Sequence, residues 1–231
     1  MPSRIQLKIV LLGQMNCGKT CLVTRYISGS FSTREQSTIG AAFCQRDILL
    51  SNGQTVVVGI WDTAGAEQFQ AMSSQYYRGA GAAIICYDIT QEASFAKAKW
   101  WVDQLKENEP DCQIYLAGNK LDLVKDQGHP RAIDRHDVLD YCNTVDGEFL
   151  ETSSKTGENI EELFQLIAKD YNRARPKLEE IKLKDSRSTT DGVLRLDQPD
   201  SRGASRRQAG AAQAQQGQQS AQGDSGGGCA C

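Results

Sequence analysis

Apolar runs of strand length alternate with segments of helical period from about residue 5 to residue 176, the pattern of a parallel sheet wrapped by helices. Strands are expected at Ile5 to Leu12, Cys44 to Leu50, Thr55 to Trp61, Ala82 to Ile89, Gln113 to Gly118 and Glu148 to Thr152, with helices between them. The last helix carries Ile160, Leu163, Phe164, Ile167 and Tyr171 at i, i+3, i+4, i+7 spacing, with acids and a lysine on its other face. Asn52-Gly53 between the second and third runs is a strong hairpin signal, so those two strands are expected to pair antiparallel while the rest run parallel. The expected fold is therefore an α/β domain with a six-stranded, mostly parallel sheet and helices on both faces.

After Pro176 the apolar periodicity stops. A charged segment reaches Lys184, and Arg202 to Gly228 contains no Leu, Ile, Val, Phe, Tyr or Trp but seven glycines, so it cannot build a core. The chain of 231 residues accordingly reads as one globular domain over residues 1–176 and a disordered tail over 177–231. With 26 Lys and Arg against 29 Asp and Glu, the net charge of −3 gives no field for capturing nucleic acid. Eight cysteines without zinc-ribbon spacing exclude a disulfide scaffold and point to a reducing compartment. No apolar run approaches the roughly 20 residues that span a bilayer, and Met1 to Arg4 leads into a strand pattern rather than a secretory segment.

Gly13-Gln14-Met15-Asn16-Cys17-Gly18-Lys19-Thr20 has the Walker A spacing, after a buried strand and at the start of a helix. Glycines let main-chain N–H groups close around a phosphate at the positive helix end; Lys19 neutralises its outer oxygens, and the Thr20 hydroxyl is placed for Mg²⁺. The competing reading, a glycine turn with a chance lysine, lacks a reason for that strand-loop-helix setting. Walker A alone leaves ATP, GTP and a kinase open. Asn119-Lys120-Leu121-Asp122 and Ser153-Ser154-Lys155 each follow a strand, and with them the chain resembles the Ras superfamily of small GTPases over residues 5 to about 175.

That resemblance implies a site for GTP or GDP with Mg²⁺. It implies that Asp122 accepts from the guanine N1–H and 2-amino group, that Lys120 and Lys155 lie along the ring faces, and that the Ser153-Ser154 loop meets the 6-oxo group through main-chain N–H. Adenine would leave Asp122 desolvated and unpaired. The family pattern also places Gly13, Asn16, Cys17, Gly18, Lys19, Thr20 and Cys21 around the phosphates, Asn119 at the base, and Phe31 edgewise on it. The bland role for Phe31 is covering the core. Asp62-Thr63-Ala64-Gly65 ends a strand, so Asp62 can reach the metal through water and the Gly65 N–H can meet a γ-phosphate; Thr38 falls where the family has a second hydroxyl ligand. The expected metal set is Thr20, Thr38 and Asp62. Cys17 and Cys21 flank the loop where a thiol can be acidified, with packing the simpler role. His129 and His136 read as solvated.

Thr38-Ile39-Gly40-Ala41-Ala42-Phe43, Ile60-Trp61-Asp62-Thr63-Ala64-Gly65 and Tyr76-Tyr77-Arg78-Gly79-Ala80 resemble the Rab subfamily, with Phe43, Trp61 and Tyr76 matching its effector-reading aromatic triad; the alternative for these rings is ordinary packing between switches. Asn16 and Ala66 resemble an atypical branch associated with endosomal and autophagic membranes. Cys229-Ala230-Cys231 is no C-a-a-X box, since the fourth residue from the end is Gly228, but is similar to the Cys-x-Cys ending that receives two geranylgeranyl groups. Free thiols or a metal clip are the alternatives, the latter without a nearby His. One lipid chain anchors only marginally, and residues 177–228 would form a tether of roughly 40 Å.

The resemblance thus implies a Rab-like GTP-binding switch in vesicle or endomembrane traffic, on the cytoplasmic side of an endosomal or autophagic membrane and cycling with the cytosol. Its partners would be an exchange factor, a GTPase-activating protein, escort and GDP-dissociation-inhibitor proteins, effectors, and a membrane bound through prenyl groups. No catalytic side chain is assigned, because Ala66 stands where the family has the glutamine that orients water; Gln68 replaces it only in a differently folded loop. The rival reading is a GTP-bound recruitment module with negligible turnover. A P-loop kinase is disfavoured because no lid-like arginine cluster is visible.

Overall fold

Alternation along the first strand sets the two-layered core. In β1 (Arg4–Leu12) Ile5, Leu7, Ile9 and Leu11 enter one apolar cluster, and Val10 and Leu12 enter the other. Both faces are covered, as a central parallel strand requires. A computed structural model describes residues 4–33, 37–65 and 75–174 of the chain. Its remaining strands are β2 (Ala41–Leu49), β3 (Thr55–Thr63), β4 (Ala82–Asp88), β5 (Gln113–Asn119) and β6 (Glu148–Glu151). They form one sheet in the order β2-β3-β1-β4-β5-β6.

β2 and β3 pair antiparallel across the Asn52-Gly53 turn, where Gly53 has φ of +80°, and all other pairs are parallel. The hairpin expectation holds. Helix α1 (Lys19–Ser28) and the helix at residues 160–174, here α5, cover one face, where the Tyr26 and Phe164 rings stack at 3.7 Å. The α5 stripe Ile160, Leu163, Phe164 and Ile167 is buried as its spacing predicts, with Tyr171 packed at its edge. Helices α2 (Glu92–Asn108) and α4 (Arg135–Val145) cover the other face through Phe95, Trp101, Val102, Val138 and Cys142. Helix α3 (Leu121–Lys125) is a short element after β5.

Chain order and sheet order reverse around β1: β3 lies on one side of it and β4 on the other. At such a reversal, the loops leaving the carboxyl ends of neighbouring strands diverge and open a crevice, the usual place for a ligand in an α/β sheet. Three strands run further than their apolar residues suggest: β2 starts at Ala41 rather than Cys44, β3 extends to Thr63, and β5 extends to Asn119. The added residues carry the site. The tail assigned to residues 177–231 lies outside the described residues, among which no helix is long and apolar enough to cross a membrane. His129 and His136 are exposed.

Candidate nucleotide site

The loop after β1 turns through conformations that restrict its sequence. Asn16 sits at φ +66°, a region asparagine tolerates better than most residues, and Gly18 at φ +92° caps α1. A Cβ at Gly18 would strike the Asn119 amide, so glycine is required by space as well as by backbone angle. Lys19 is buried, and its ammonium donates to the carbonyls of Gly13 at 2.9 Å and Gln14 at 3.0 Å. These bonds fold the side chain back along the loop, which puts its charge at the mouth of the helix. A Cβ at Gly65 would meet the Lys19 ammonium and the Met15 backbone, so the Gly65 main chain lies directly against the phosphate loop.

Below that loop the Cys17 and Cys86 thiols hydrogen-bond each other. The shared bond favours the Cys17 thiolate, against burial and with help from Lys19 and Lys120, and it pushes the Cys86 thiol up. Both thiols are buried. Cys17 therefore packs beneath the loop and Cys21 lines the cavity above it.

Thr20, Thr38 and Asp62 come from three separate segments and meet. The Thr20 hydroxyl lies 2.8 Å from the Thr38 hydroxyl and donates to Asp62 Oδ2 at 2.7 Å. Their oxygens are hard donors, the set a magnesium ion takes, so the residues present fit the metal named from the sequence. The Thr63 hydroxyl donates to the Leu11 carbonyl at 2.6 Å, which ties the end of β3 to the root of the phosphate loop.

At the opposite end Asn119, 1% exposed, joins three loops. Its amide donates to the Cys17 carbonyl at 3.0 Å, and its Oδ1 accepts from the Ser154 N–H and Ser154 hydroxyl, each at 3.2 Å. The Ser154 N–H, expected at a 6-oxo group, is thus turned to Asn119 here. Asp122 is buried, and one of its carboxylate oxygens accepts from the Ser153 hydroxyl at 2.6 Å. The other lies 3.9 Å from the Lys155 ammonium. The Arg25 guanidinium reaches across to the Ser154 carbonyl at 2.8 Å and fixes this loop to α1.

Between the two ends lies a cavity of about 430 Å³, the size of a small-molecule or cofactor site. Asn16, Gly18, Lys19, Thr20, Cys21, Phe31, Thr38, Asn119, Lys120, Asp122, Ser154 and Lys155 line it as expected. Gly13, Cys17, Asp62, Gly65 and Ser153 instead support the liners. Met15, Ser32, Thr33, Ser37, Thr63, Leu123 and Gln127 also line it and were not expected. Leu123 and Gln127 follow within five residues of Asp122 in the first turn of α3, so its position could have found them; nothing in the serines and threonines distinguishes them from ordinary loop residues. Phe43, 57% exposed, tilts against Trp61 at 4.6 Å between ring centres, and the Tyr76 hydroxyl lies beside Gly40. Ala66 and Gln68 lie outside the described residues.

A sequence model of the Ras family matches residues 8–173. The chain is 46% identical over 169 residues to the Ras-related protein Rab-24 of Dictyostelium discoideum, covering 73% of this chain and 82% of that one. It is 44% identical over 166 residues to the GTP-binding protein ypt5 of Schizosaccharomyces pombe, covering 71% and 77%.

The carboxylate of Asp122 accepts hydrogen bonds but cannot donate, which suits a base edge made of two donors. Asp122→Asn exchanges one acceptor for a donor. Its guanosine diphosphate affinity is expected to fall at least about a hundredfold, with xanthosine diphosphate becoming the better ligand. Competition binding of both nucleotides to both proteins checks this, and an unchanged preference would make Asp122 a turn residue.

Proposed function

The chain belongs to the Ras family of small GTPases, in its Rab subfamily, and from that membership we propose that it is a membrane-attached switch that holds GTP, hydrolyses it slowly, and acts in endomembrane traffic. The observation that carries the switch reading is the meeting of Thr20, Thr38 and Asp62, because it joins the phosphate loop both to the end of β3 and to the segment ahead of β2 through side-chain oxygens. With a γ-phosphate and its metal in place, Lys19 and the Gly65 N–H would meet the phosphate and the Thr38 hydroxyl the metal; after loss of the phosphate the segments carrying Thr38 and Gly65 are released. Magnesium held by Thr20, Thr38 and, through water, Asp62 would supply positive charge at the phosphate oxygens.

Selectivity for guanine rests on Asp122, oriented by Ser153, with Lys120 and Lys155 beside it. Phe43, Trp61 and Tyr76 form the surface we assign to effectors, which would read its two arrangements. Exchange factors, GTPase-activating proteins, and escort and GDP-dissociation-inhibitor proteins are the further partners implied by the subfamily. The endosomal or autophagic assignment rests on Asn16 and Ala66, where this chain departs from the commoner pattern.

Water attacking a γ-phosphate needs a neighbour that accepts and donates, and an alanine methyl does neither. In our reading the phosphate clamp is intact and the attacking water lacks its positioning partner, so the chain idles in the GTP state until a partner supplies the missing groups. Single-turnover hydrolysis of preloaded GTP tests this directly: Ala66→Gln is expected to be at least about tenfold faster than the wild type at unchanged GTP affinity. Equal rates would show that Ala66 is not the defect. No hydrolysis in the wild type even with an activating partner would favour the GTP-bound recruitment module.

Attachment is assigned to lipids on Cys229 and Cys231, which lie outside the described residues. The Cys229→Ser, Cys231→Ser double variant should move from the membrane pellet to the cytosol on cell fractionation. A double variant that still pellets would rule out lipidation of these cysteines as the anchor.

A further inference from the structure

Lys120 enters the cavity from a strained position, and something must aim it. It heads α3 with φ +67°, a conformation unfavourable for a long side chain, and it is 30% exposed. An unrestrained lysine has many rotamers, so one that serves a ligand gains from being fixed before the ligand arrives. The partner that fixes it is not in the cavity lining. Asp88 closes β4 and pairs in register with Asn119, the residue before Lys120, so the parallel ladder brings the two side chains together. Asp88 is 2% exposed, and its Oδ2 lies 2.7 Å from the Lys120 ammonium.

The carboxylate is itself held. Its Oδ1 accepts from the Thr90 N–H at 2.9 Å and from the Thr90 hydroxyl at 2.7 Å, which leaves Oδ2 directed at Lys120. Burial opposes ionisation of Asp88, but the Lys120 ammonium and the two Thr90 donors outweigh it and hold the carboxyl below its usual range. A buried, twice-braced carboxylate is screened much less than a surface one, so it can restrain the lysine at physiological ionic strength.

We propose that Asp88 is a positioning residue for nucleotide retention, holding Lys120 flat against the base subsite with Thr90 as its brace. The role rests on the guanine-nucleotide reading above and adds a residue to it. The alternative is that Asp88 only shapes the turn into α2, since the Asp88 carbonyl and N–H both contact Ser94 and the carbonyl also accepts from the Gln91 N–H. Asp88→Asn separates the two roles: it keeps an acceptor for Thr90 and both main-chain contacts while removing the charge that faces Lys120.

The experiment is release of the fluorescent analogue N-methylanthraniloyl-GDP from the full-length chain, measured for wild type, Asp88→Asn, Lys120→Met and the double variant. Release should quicken about tenfold in Asp88→Asn, and adding Asp88→Asn to Lys120→Met should change nothing further. Equal acceleration in both backgrounds would overturn the proposal, because a damaged turn acts with or without the lysine. So would an unchanged rate in Asp88→Asn while the wild type retains the probe. Should Asp88→Asn not fold, Thr90→Val carries the same test, with release about two- to threefold faster when Lys120 is present and unchanged when it is Met. A wild type that does not retain the probe would instead overturn the guanine reading itself.

Discussion

The constraint on which the site depends is the need to satisfy one buried amide. Asn119 cannot stay in a closed crevice with its donors and acceptor idle, because an unpaired polar group there costs about 1–3 kcal/mol. It meets that demand by bonding to the loop after β1 and the loop after β6 while itself ending β5. Three loops that could wander independently are thereby fixed relative to one another. The glycine at position 18 follows from the same constraint, since any side chain there would displace the amide.

From that tie the two ends diverge in chemistry. At one end Lys19 is bonded back to its own loop, and the oxygens of Thr20, Thr38 and Asp62 meet. The base end places two lysines beside buried carboxylates, Lys120 with Asp88 and Lys155 near Asp122. At each pair the lysine is partly exposed and the carboxylate is buried, so the acid is the anchor beside which the lysine is held. In the proposed function the switch and the reading of the base would be separate tasks, joined through Asn119 and the sheet.

How much of this was legible in the sequence depended on whether a residue's neighbours in the chain were also its neighbours in space. Walker A, Asn119 to Asp122 and Ser153 to Lys155 are local motifs, and each supplies residues to the cavity wall. The sheet followed from apolar alternation, and the hairpin from Asn52-Gly53. Strand ends did not follow, because Ala41, Thr63 and Asn119 extend the ladders with small or polar residues that carry no hydrophobic signal. Asp88 was invisible for a related reason. Its partner lies 32 positions away on the adjoining strand, and only the register Asp88 to Asn119 brings them together. The Cys17 and Cys86 contact was hidden in the same way, since each thiol by itself reads as packing.

A single site built for guanine must discriminate between nucleotides. Calorimetric titration of the nucleotide-free full-length chain with GDP and, separately, with ADP in the presence of Mg²⁺ tests it most directly. One GDP per chain is expected, bound at least about a thousandfold more tightly than ADP, because adenine offers the buried Asp122 carboxylate no pair of donors. Comparable affinities for the two nucleotides would contradict it.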